Sequence, residues 1–150
     1  MWDEITAAAS AESALWAEAL RPVAEQEREP VFSPLAPAEH ALGLETIYEG
    51  YLVHFGHSRL FAPEDGDTAL LLGDYLYAHG LVHIAESGDV KAVADLAELI
   101  SHCSQLRADG LDGDGEAWVA TSSWLGNGAS PRSDDDAVAA ALATHSRLVG

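Results

Sequence analysis

The chain has few basic residues and almost no cysteine, and both shortages exclude classes of function. Seven Lys and Arg residues stand against 25 Asp and Glu residues, which gives a formal net charge of −18 at pH 7. Binding of nucleic acid or of an anionic membrane requires a basic footprint, so neither partner is expected. The acidity either keeps the protein soluble or reflects a high-salt cytoplasm. Cys103 is the only cysteine, which excludes an intramolecular disulfide and a cysteine-based zinc site.

The chain also lacks a basic start followed by an apolar run, so no signal peptide is predicted and we expect a cytoplasmic protein. An alternating strand pattern is missing as well, while apolar residues recur at helical spacing over most of the sequence. At 150 residues, the sequence predicts a single all-α domain, a bundle of about six helices. Residues 1–36 would form an N-terminal helix and a proline-rich connection, and residues 37–150 the core.

Caps, glycines and prolines predict where the helices begin and end. The predicted helices are Asp3 to about Arg28 with a kink or an end near Pro22, Pro37 to about Phe55, Asp67 to Asp89, Asp89 to about Arg107, Ala117 to Gly126 and Ala137 to Leu148. Asp67 is expected to cap the third of these helices, and Ser133 the last one. The loop from Asp109 to Gly115 lacks the residue order of a calcium-binding EF-hand, so we expect a solvated loop.

The third predicted helix, Asp67 to Asp89, is apolar on nearly every face. We therefore expect it at the centre of the bundle, packed on all sides by other helices. The charged and glycine residues inside it argue against a membrane span. Gly73 and Gly80 lie two turns apart on one face, which indicates close approach of another backbone or of a ligand. A buried carboxylate needs a partner, so Asp74 should pair with an arginine such as Arg59 or Arg107, or hold a ligand.

Two histidine pairs have spacings that suit a metal ion. His79 and His83 are four residues apart on the third helix, and His54 and His57 are three apart near the end of the second. Histidine pairs of this kind bind zinc and other transition metals. The alternative is a structural role, in which each ring bonds to the backbone or to a carboxylate. Because no HExxH motif or cysteine ligand accompanies the pairs, the sequence favours the structural role, and magnesium is not expected.

From residue 37 onwards, the order of the segments resembles that of one known protein family. TALLLGDYLYAHGL carries a Gly-Asp pair on an apolar helix. The next helix has Ser104-Gln105 where the family has Gly-Gln or Gly-Glu, and EAWVATSSWLGNGAS has Ala120-Thr121 where the family has Lys-Thr. On these segments the chain resembles the trans-isoprenyl diphosphate synthases (polyprenyl synthetases). The resemblance implies part of the isoprenoid (terpenoid) synthase fold.

Departures from the family pattern bear on activity. His54-Phe55-Gly56-His57 stands where the resemblance places the first aspartate-rich motif, and only Arg59 follows of the arginines that bind phosphate. The chain ends before a second aspartate-rich motif would arrive. In the family these motifs hold the magnesium ions that neutralise the departing diphosphate. The resemblance therefore implies a truncated, non-catalytic relative without a magnesium cofactor.

We accordingly expect an accessory or regulatory subunit of a prenyl diphosphate synthase in isoprenoid biosynthesis. Some synthases of the family work with a small subunit that lacks the aspartate motifs. The resemblance implies docking on such a synthase, or on a second copy of the chain, through the synthase-type helix interface. A docking protein should expose a large apolar patch on one face.

Two alternatives remain open. One is a stand-alone binder of an isoprenoid or other apolar ligand, with an enclosed cavity lined by Leu72, Leu76 and Gly80. The other is a metal-dependent enzyme, which should place at least three histidine or acid side chains around one point. The candidate metal ligands are His54, His57, His79 and His83, with Asp74 nearby. The candidate ligand-binding residues are Leu72, Asp74, Leu76, His79, Gly80, His83, Gln105 and Thr121.

Overall fold

The computed structural model of the protein describes residues 1–125 and 134–150. These residues form seven α-helices, together with three short 3-10 helices and no strand. The α-helices are α1 (Trp2–Glu12), α2 (Ala14–Ala19), α3 (Ala41–Phe55), α4 (Gly66–Glu86), α5 (Val90–Ala108), α6 (Asp114–Trp124) and α7 (Asp135–Val149). The prediction of an all-α bundle is confirmed. No described helix is long and apolar enough to cross a membrane.

The first predicted helix is two helices, because the chain also breaks at Ser13. Ser13 has an extended backbone, and its hydroxyl accepts a hydrogen bond from the Leu15 amide at 3.1 Å. Ser13 is therefore the N-cap of α2. Helix α2 ends at Ala19, so the predicted end near Pro22 is confirmed, whereas the stretch to Arg28 contains only a 3-10 turn at Val23–Glu25.

Aspartates cap several helices, but not always at the predicted residue. Asp65, and not Asp67, caps α4 by accepting a hydrogen bond from the Thr68 amide at 2.7 Å. Asp134 caps α7, while the predicted cap Ser133 lies outside the described residues, as does Gly126. The predicted junction between the third and fourth helices is confirmed. There Gly88 adopts φ 81° and Asp89 caps α5 through the Ala92 amide.

Helix α3, and not α4, lies at the centre of the bundle. All ten residues from Gly43 to Leu52 are buried. Helix α4 buries one face against α3, but Leu70, Leu71 and Val82 on its other side are each 55% exposed. The expectation that α4 is packed on all sides is therefore wrong. An apolar pattern all round a helix indicates burial, but it does not show which neighbours cover each face.

Glycines bring α3 and α4 into direct backbone contact. A Cβ atom built on Gly50 of α3 would lie 2.9 Å from the carbonyl oxygen of Gly73 on α4. One built on Gly73 would lie 2.4 Å from the ring of His54. The close approach expected at Gly73 and Gly80 is thus made by a neighbouring helix. No space for a ligand remains between the two backbones.

The apolar side chains form two clusters on either side of the α3–α4 pair. The larger cluster joins α3 to α5, α6 and α7 around Phe32, Tyr48 and Trp118. The smaller cluster packs α1 and α2 against the inner side of α4, where Leu72 and Leu76 are fully buried. The N-terminal helices therefore cover only part of α4, and its outer side is left open.

Candidate functional site

A buried ionic network surrounds Arg59, the arginine that the resemblance would place near a phosphate. Its guanidinium donates to Glu49 at 2.9 Å and to Glu45 at 2.8 Å, and all three side chains are at most 1% exposed. Burial alone would lower the pKa of Arg59, but the two carboxylates outweigh burial and raise it. Because its donors are already bound inside the protein, Arg59 is not available to a phosphate group.

Backbone donors satisfy the remaining oxygens of this network. Glu45 accepts the amides of Val31 and Ser33, each at 2.9 Å. Glu49 accepts the Leu60 amide at 3.0 Å and the Ser58 hydroxyl. The network therefore fastens two irregular segments of chain, around residues 31–33 and 58–60, to the central helix. Its role is structural, since every group is buried and bonded within the protein.

A second polar network joins α3, α6 and α7 around Asp114. One carboxylate oxygen of Asp114 accepts from the Tyr51 hydroxyl at 2.5 Å, from Arg107 at 2.7 Å and from the His145 Nε2 at 3.1 Å. On its other side the His145 ring bonds to the Tyr48 hydroxyl at 2.8 Å. An ionised carboxylate only accepts hydrogen bonds, so His145 carries a proton on Nε2.

Hydrogen bonds from neighbouring side chains keep the Asp114 carboxylate ionised. Burial would raise the pKa of Asp114, but the hydrogen bonds from His145, Tyr51 and Arg107 hold it well below its usual range. Burial also raises the pKa of Tyr48 far above that of a free tyrosine. A Tyr–His–Asp chain can relay protons in an enzyme, but the Tyr48 end of this one is fully buried. The network therefore holds α7 in place.

The expectation of a solvated loop from Asp109 to Gly115 is wrong at its end. Asp114 opens α6 and is half-buried in the network, and Gly115 is packed beneath the His145 ring. Gly113 precedes them with φ 113°, a backbone conformation that favours glycine. The chain therefore turns sharply into α6 and places the Asp114 carboxylate inward.

Asp74 does not occupy the buried position that the sequence predicts. Its side chain is 65% exposed, and its carboxylate lies 3.2 Å from the Nε2 atom of His54. Arg59 and Arg107, the expected partners, are bound to Glu45, Glu49 and Asp114 instead. The prediction of a buried Asp74–arginine pair is therefore wrong. Asp74 was expected to be buried because its sequence neighbours are apolar, but Leu70 and Leu71 are themselves exposed.

The residues expected to line an apolar cavity are packed against protein. Leu72 and Leu76 are fully buried among side chains of α1, α2 and the 60–61 segment. A Cβ atom on Gly80 would lie 2.5 Å from Ile47, so that position is closed as well. At these three positions the described part of the chain is packed without an enclosed space for a hydrocarbon chain.

Of the other predicted ligand-binding residues, Gln105 is exposed and donates to Asp109 at 3.0 Å. Thr121 lines an open groove of about 490 Å³ between α5 and α6, together with His102 and Trp124. The structure thus places Gln105 and Thr121 away from the α4 residues and does not assemble one site from all eight candidates.

The candidate metal ligands are brought together only in pairs. The rings of His79 and His83 have centres 4.7 Å apart, whereas His54 bonds to Asp74 and the exposed His57 lies beside the end of α7. Within residues 1–125 and 134–150, no three His, Cys, Asp or Glu side chains are grouped closely enough to hold a metal ion. The three-ligand centre expected of a metalloenzyme is not formed within this part of the chain.

The open side of α4 carries the remaining candidates. We call it the outer face of α4 and define it by two rows of residues spaced four apart. The rows are Leu70, Asp74, Ala78, Val82 and Glu86, all exposed, and Leu71, Tyr75, His79 and His83, of which all but the exposed Leu71 are half-buried. Rows of this spacing form the ridges by which helices pack against one another. Because these rows carry the exposed Leu70, Leu71 and Val82, the outer face of α4 presents apolar side chains that a helix–helix contact would bury.

Sequence reasoning missed the buried residues Glu45, Glu49 and His145 and the half-buried Asp114, which form the two polar networks. A signal for the first two was present, because they lie one turn apart on an apolar helix that also contains Leu44, Ile47 and Tyr48. No comparable signal marks Asp114, which follows a glycine-rich loop.

Comparison of the chain with known protein families, with curated proteins and with solved structures gives no match in any of the three. What the protein does is therefore inferred from its own residues and their arrangement.

Proposed function

We propose that the protein is a non-catalytic, polyprenyl-synthase-like accessory subunit, which docks on a prenyl diphosphate synthase through the outer face of α4. The observation that carries the proposal is the exposure of Leu70, Leu71 and Val82, each 55% exposed, on a helix whose inner side is buried. Leu70 and Leu71 are adjacent, and Val82 lies about three turns further along the same helix. Apolar side chains that share one exposed face mark an interaction surface. The partner is chosen on the sequence resemblance, in which α4 corresponds to the synthase helix with the Gly-Asp pair.

The surroundings of the expected diphosphate site support a non-catalytic role. His54, which stands where the resemblance puts the first aspartate-rich motif, is bonded to Asp74. Arg59 is enclosed with Glu45 and Glu49. A diphosphate leaving group needs cations or strong donors around its oxygens. The groups at this position are instead engaged within the protein.

The packing of the interior favours docking over the binding of an apolar ligand. Leu72, Leu76 and Gly80, which a binder would place around a cavity, contact other side chains and the backbone of α3. The apolar surface that remains accessible on α4 is on its outer face.

The chemistry of the outer face indicates what a partner helix must supply. Its ridges would fit an apolar helix, and the exposed carboxylates of Asp74 and Glu86 at its borders would meet basic or hydrogen-bonding side chains. High salt screens the repulsion between acidic proteins. Salts with strongly hydrated anions, such as sulfate, also strengthen apolar contacts. Assembly through apolar side chains therefore suits a protein with a net charge of −18.

The test is binding of the purified chain to the full-length prenyl diphosphate synthase of the same organism, measured at high salt by size exclusion with light scattering. We expect a stable complex that Leu71→Glu weakens at least about tenfold, because a buried charge opposes an apolar contact. The matched control is Leu111→Glu, since Leu111 is 59% exposed and lies outside the outer face of α4. Circular dichroism would verify that both variants are folded.

Three outcomes would contradict the proposal. The first is the absence of a complex, and the second is a complex that Leu71→Glu leaves unchanged. The third is unaided condensation of isopentenyl diphosphate with an allylic diphosphate by the purified chain. Organic extraction of the purified protein tests the alternative, a stand-alone binder of an apolar ligand. Recovery of one apolar molecule per chain would identify such a binder.

A further inference from the structure

His79 and His83 lie side by side on the outer face of α4. We propose that they form one half of a binding site for a divalent transition-metal ion such as zinc, and that a second copy of the chain completes the site with its own His79 and His83. The site would link two chains across their α4 helices.

The geometry of the pair fits chelation. The two ring centres are 4.7 Å apart, and the ring planes are nearly perpendicular at 85°. Two imidazoles on one zinc ion, with bonds of about 2.0–2.1 Å, have ring centres roughly 4.5–5.2 Å apart for angles of about 90–110° at the metal. The observed separation lies within that range. An ion would therefore need only rotation of the rings, with no movement of the helix.

Neighbouring side chains contact the rings of His79 and His83 and restrict their orientation. Tyr75 stacks on the His79 ring at 5.3 Å and is itself stacked on Trp16. The Glu86 carboxylate lies 3.5 Å from the Nδ1 atom of His83, where it can orient that ring for a ligand bond at Nε2.

One chain alone supplies too few ligands. Zinc in a structural site takes four, and no third His, Cys, Asp or Glu in the described part of the chain joins His79 and His83. A two-fold axis beside the pair would bring four imidazoles around one ion. It would also place Val82, which is 55% exposed and adjacent to His83, against its counterpart. The two positive charges of the ion would oppose the repulsion between two chains of net charge −18.

This inference does not depend on the identity of the partner in the proposed function, although both use the outer face of α4. The metal-linked pair of chains would cover the residues that we propose for docking on a synthase. The two assemblies would therefore be alternatives, and a metal ion would favour the self-associated form.

The experiment uses tag-free, chelator-treated full-length protein at high salt, titrated with zinc chloride. Calorimetry gives the stoichiometry, and light scattering gives the mass. We expect one ion per two chains together with a doubling of mass. His79→Gln and His83→Gln should each weaken binding at least about 100-fold and abolish the doubling. Glu86→Gln, which changes only the surroundings of His83, should weaken binding roughly tenfold.

The matched control is His102→Gln, because His102 is an exposed histidine on α5, outside the outer face of α4. It should bind zinc as the unaltered protein does. One ion per chain without a change of mass, a doubling that survives His79→Gln, or no binding at all would each overturn the inference. If one of these results is found while the chain still forms a complex with the synthase, the metal site is ruled out and the proposed function is not affected.

Discussion

Gly80 of α4 and Gly43 of α3 face each other so closely that a Cβ atom on Gly80 would lie 2.8 Å from the Gly43 carbonyl oxygen. The same Cβ atom would lie 2.5 Å from Ile47. We therefore predict that Gly80→Ala destabilises the protein by about 1–3 kcal/mol through overpacking. This loss should appear although alanine is favoured over glycine in a helix by about 1 kcal/mol. Urea unfolding at constant high salt measures the difference.

The control for this substitution is on the same helix. Gly66 is the first residue of α4, and a Cβ atom there would meet nothing within 4 Å. Gly66→Ala should therefore be neutral or stabilise the protein by about 0.4–1 kcal/mol. Equal stabilities of the two variants would show that α3 and α4 are not in close backbone contact.

Arg59 is the cation that allows Glu45 and Glu49 to remain buried. We predict that Arg59→Met lowers the free energy of unfolding by about 3–5 kcal/mol, because two carboxylates then lose their buried counter-charge. Arg28→Met is the comparison, since Arg28 pairs with the 87% exposed Asp3 and should contribute less than about 1 kcal/mol. Denaturant unfolding of both variants provides the measurement. Similar losses in the two would mean that the Arg59 network is solvated.

Cys103 should be almost unreactive while the protein is folded. Its side chain is fully buried, and burial raises its pKa to about 12, so the reactive thiolate is scarce at neutral pH. We predict that Ellman's reagent modifies the native protein roughly 100-fold or more slowly than the urea-unfolded chain. The rate is followed by absorbance. Comparable rates in the two states would place Cys103 at the surface.

The helical content could be predicted from the sequence because apolar spacing and capping residues are local signals. The junction at Gly88 and Asp89 was predicted for that reason, since one residue adopts a positive φ and the next caps a helix. The break at Ser13 was missed, although a serine before an apolar run is a possible cap, because Pro22 is the stronger helix breaker.

The burial of individual charges could not be predicted, because it depends on partners distant in sequence. Glu45 is buried since Arg59, 14 residues away, folds back beneath it. Asp114 is bound by His145, 31 residues away. Asp74 has apolar neighbours like those of Glu45, yet it is exposed, because no further helix covers that side of α4 in the described part of the chain. A local apolar pattern does not distinguish these cases.

The Asp114 network predicts a specific dependence of stability on pH. The pKa of Asp114 in the folded protein lies below the value of about 3.9 that it has in an unfolded chain. The ionised carboxylate therefore contributes fully to the free energy of unfolding above that pH, and contributes less as the pH falls below about 4. Asp114→Asn should therefore lower the free energy of unfolding by about 2–3 kcal/mol near pH 7. The difference in unfolding free energy between the variant and the unaltered protein should become smaller as the pH is lowered. Urea unfolding between about pH 7 and 3 measures it, with the exposed Asp3→Asn as control. A difference that stays constant would show that Asp114 is not held as a carboxylate by Tyr51, Arg107 and His145.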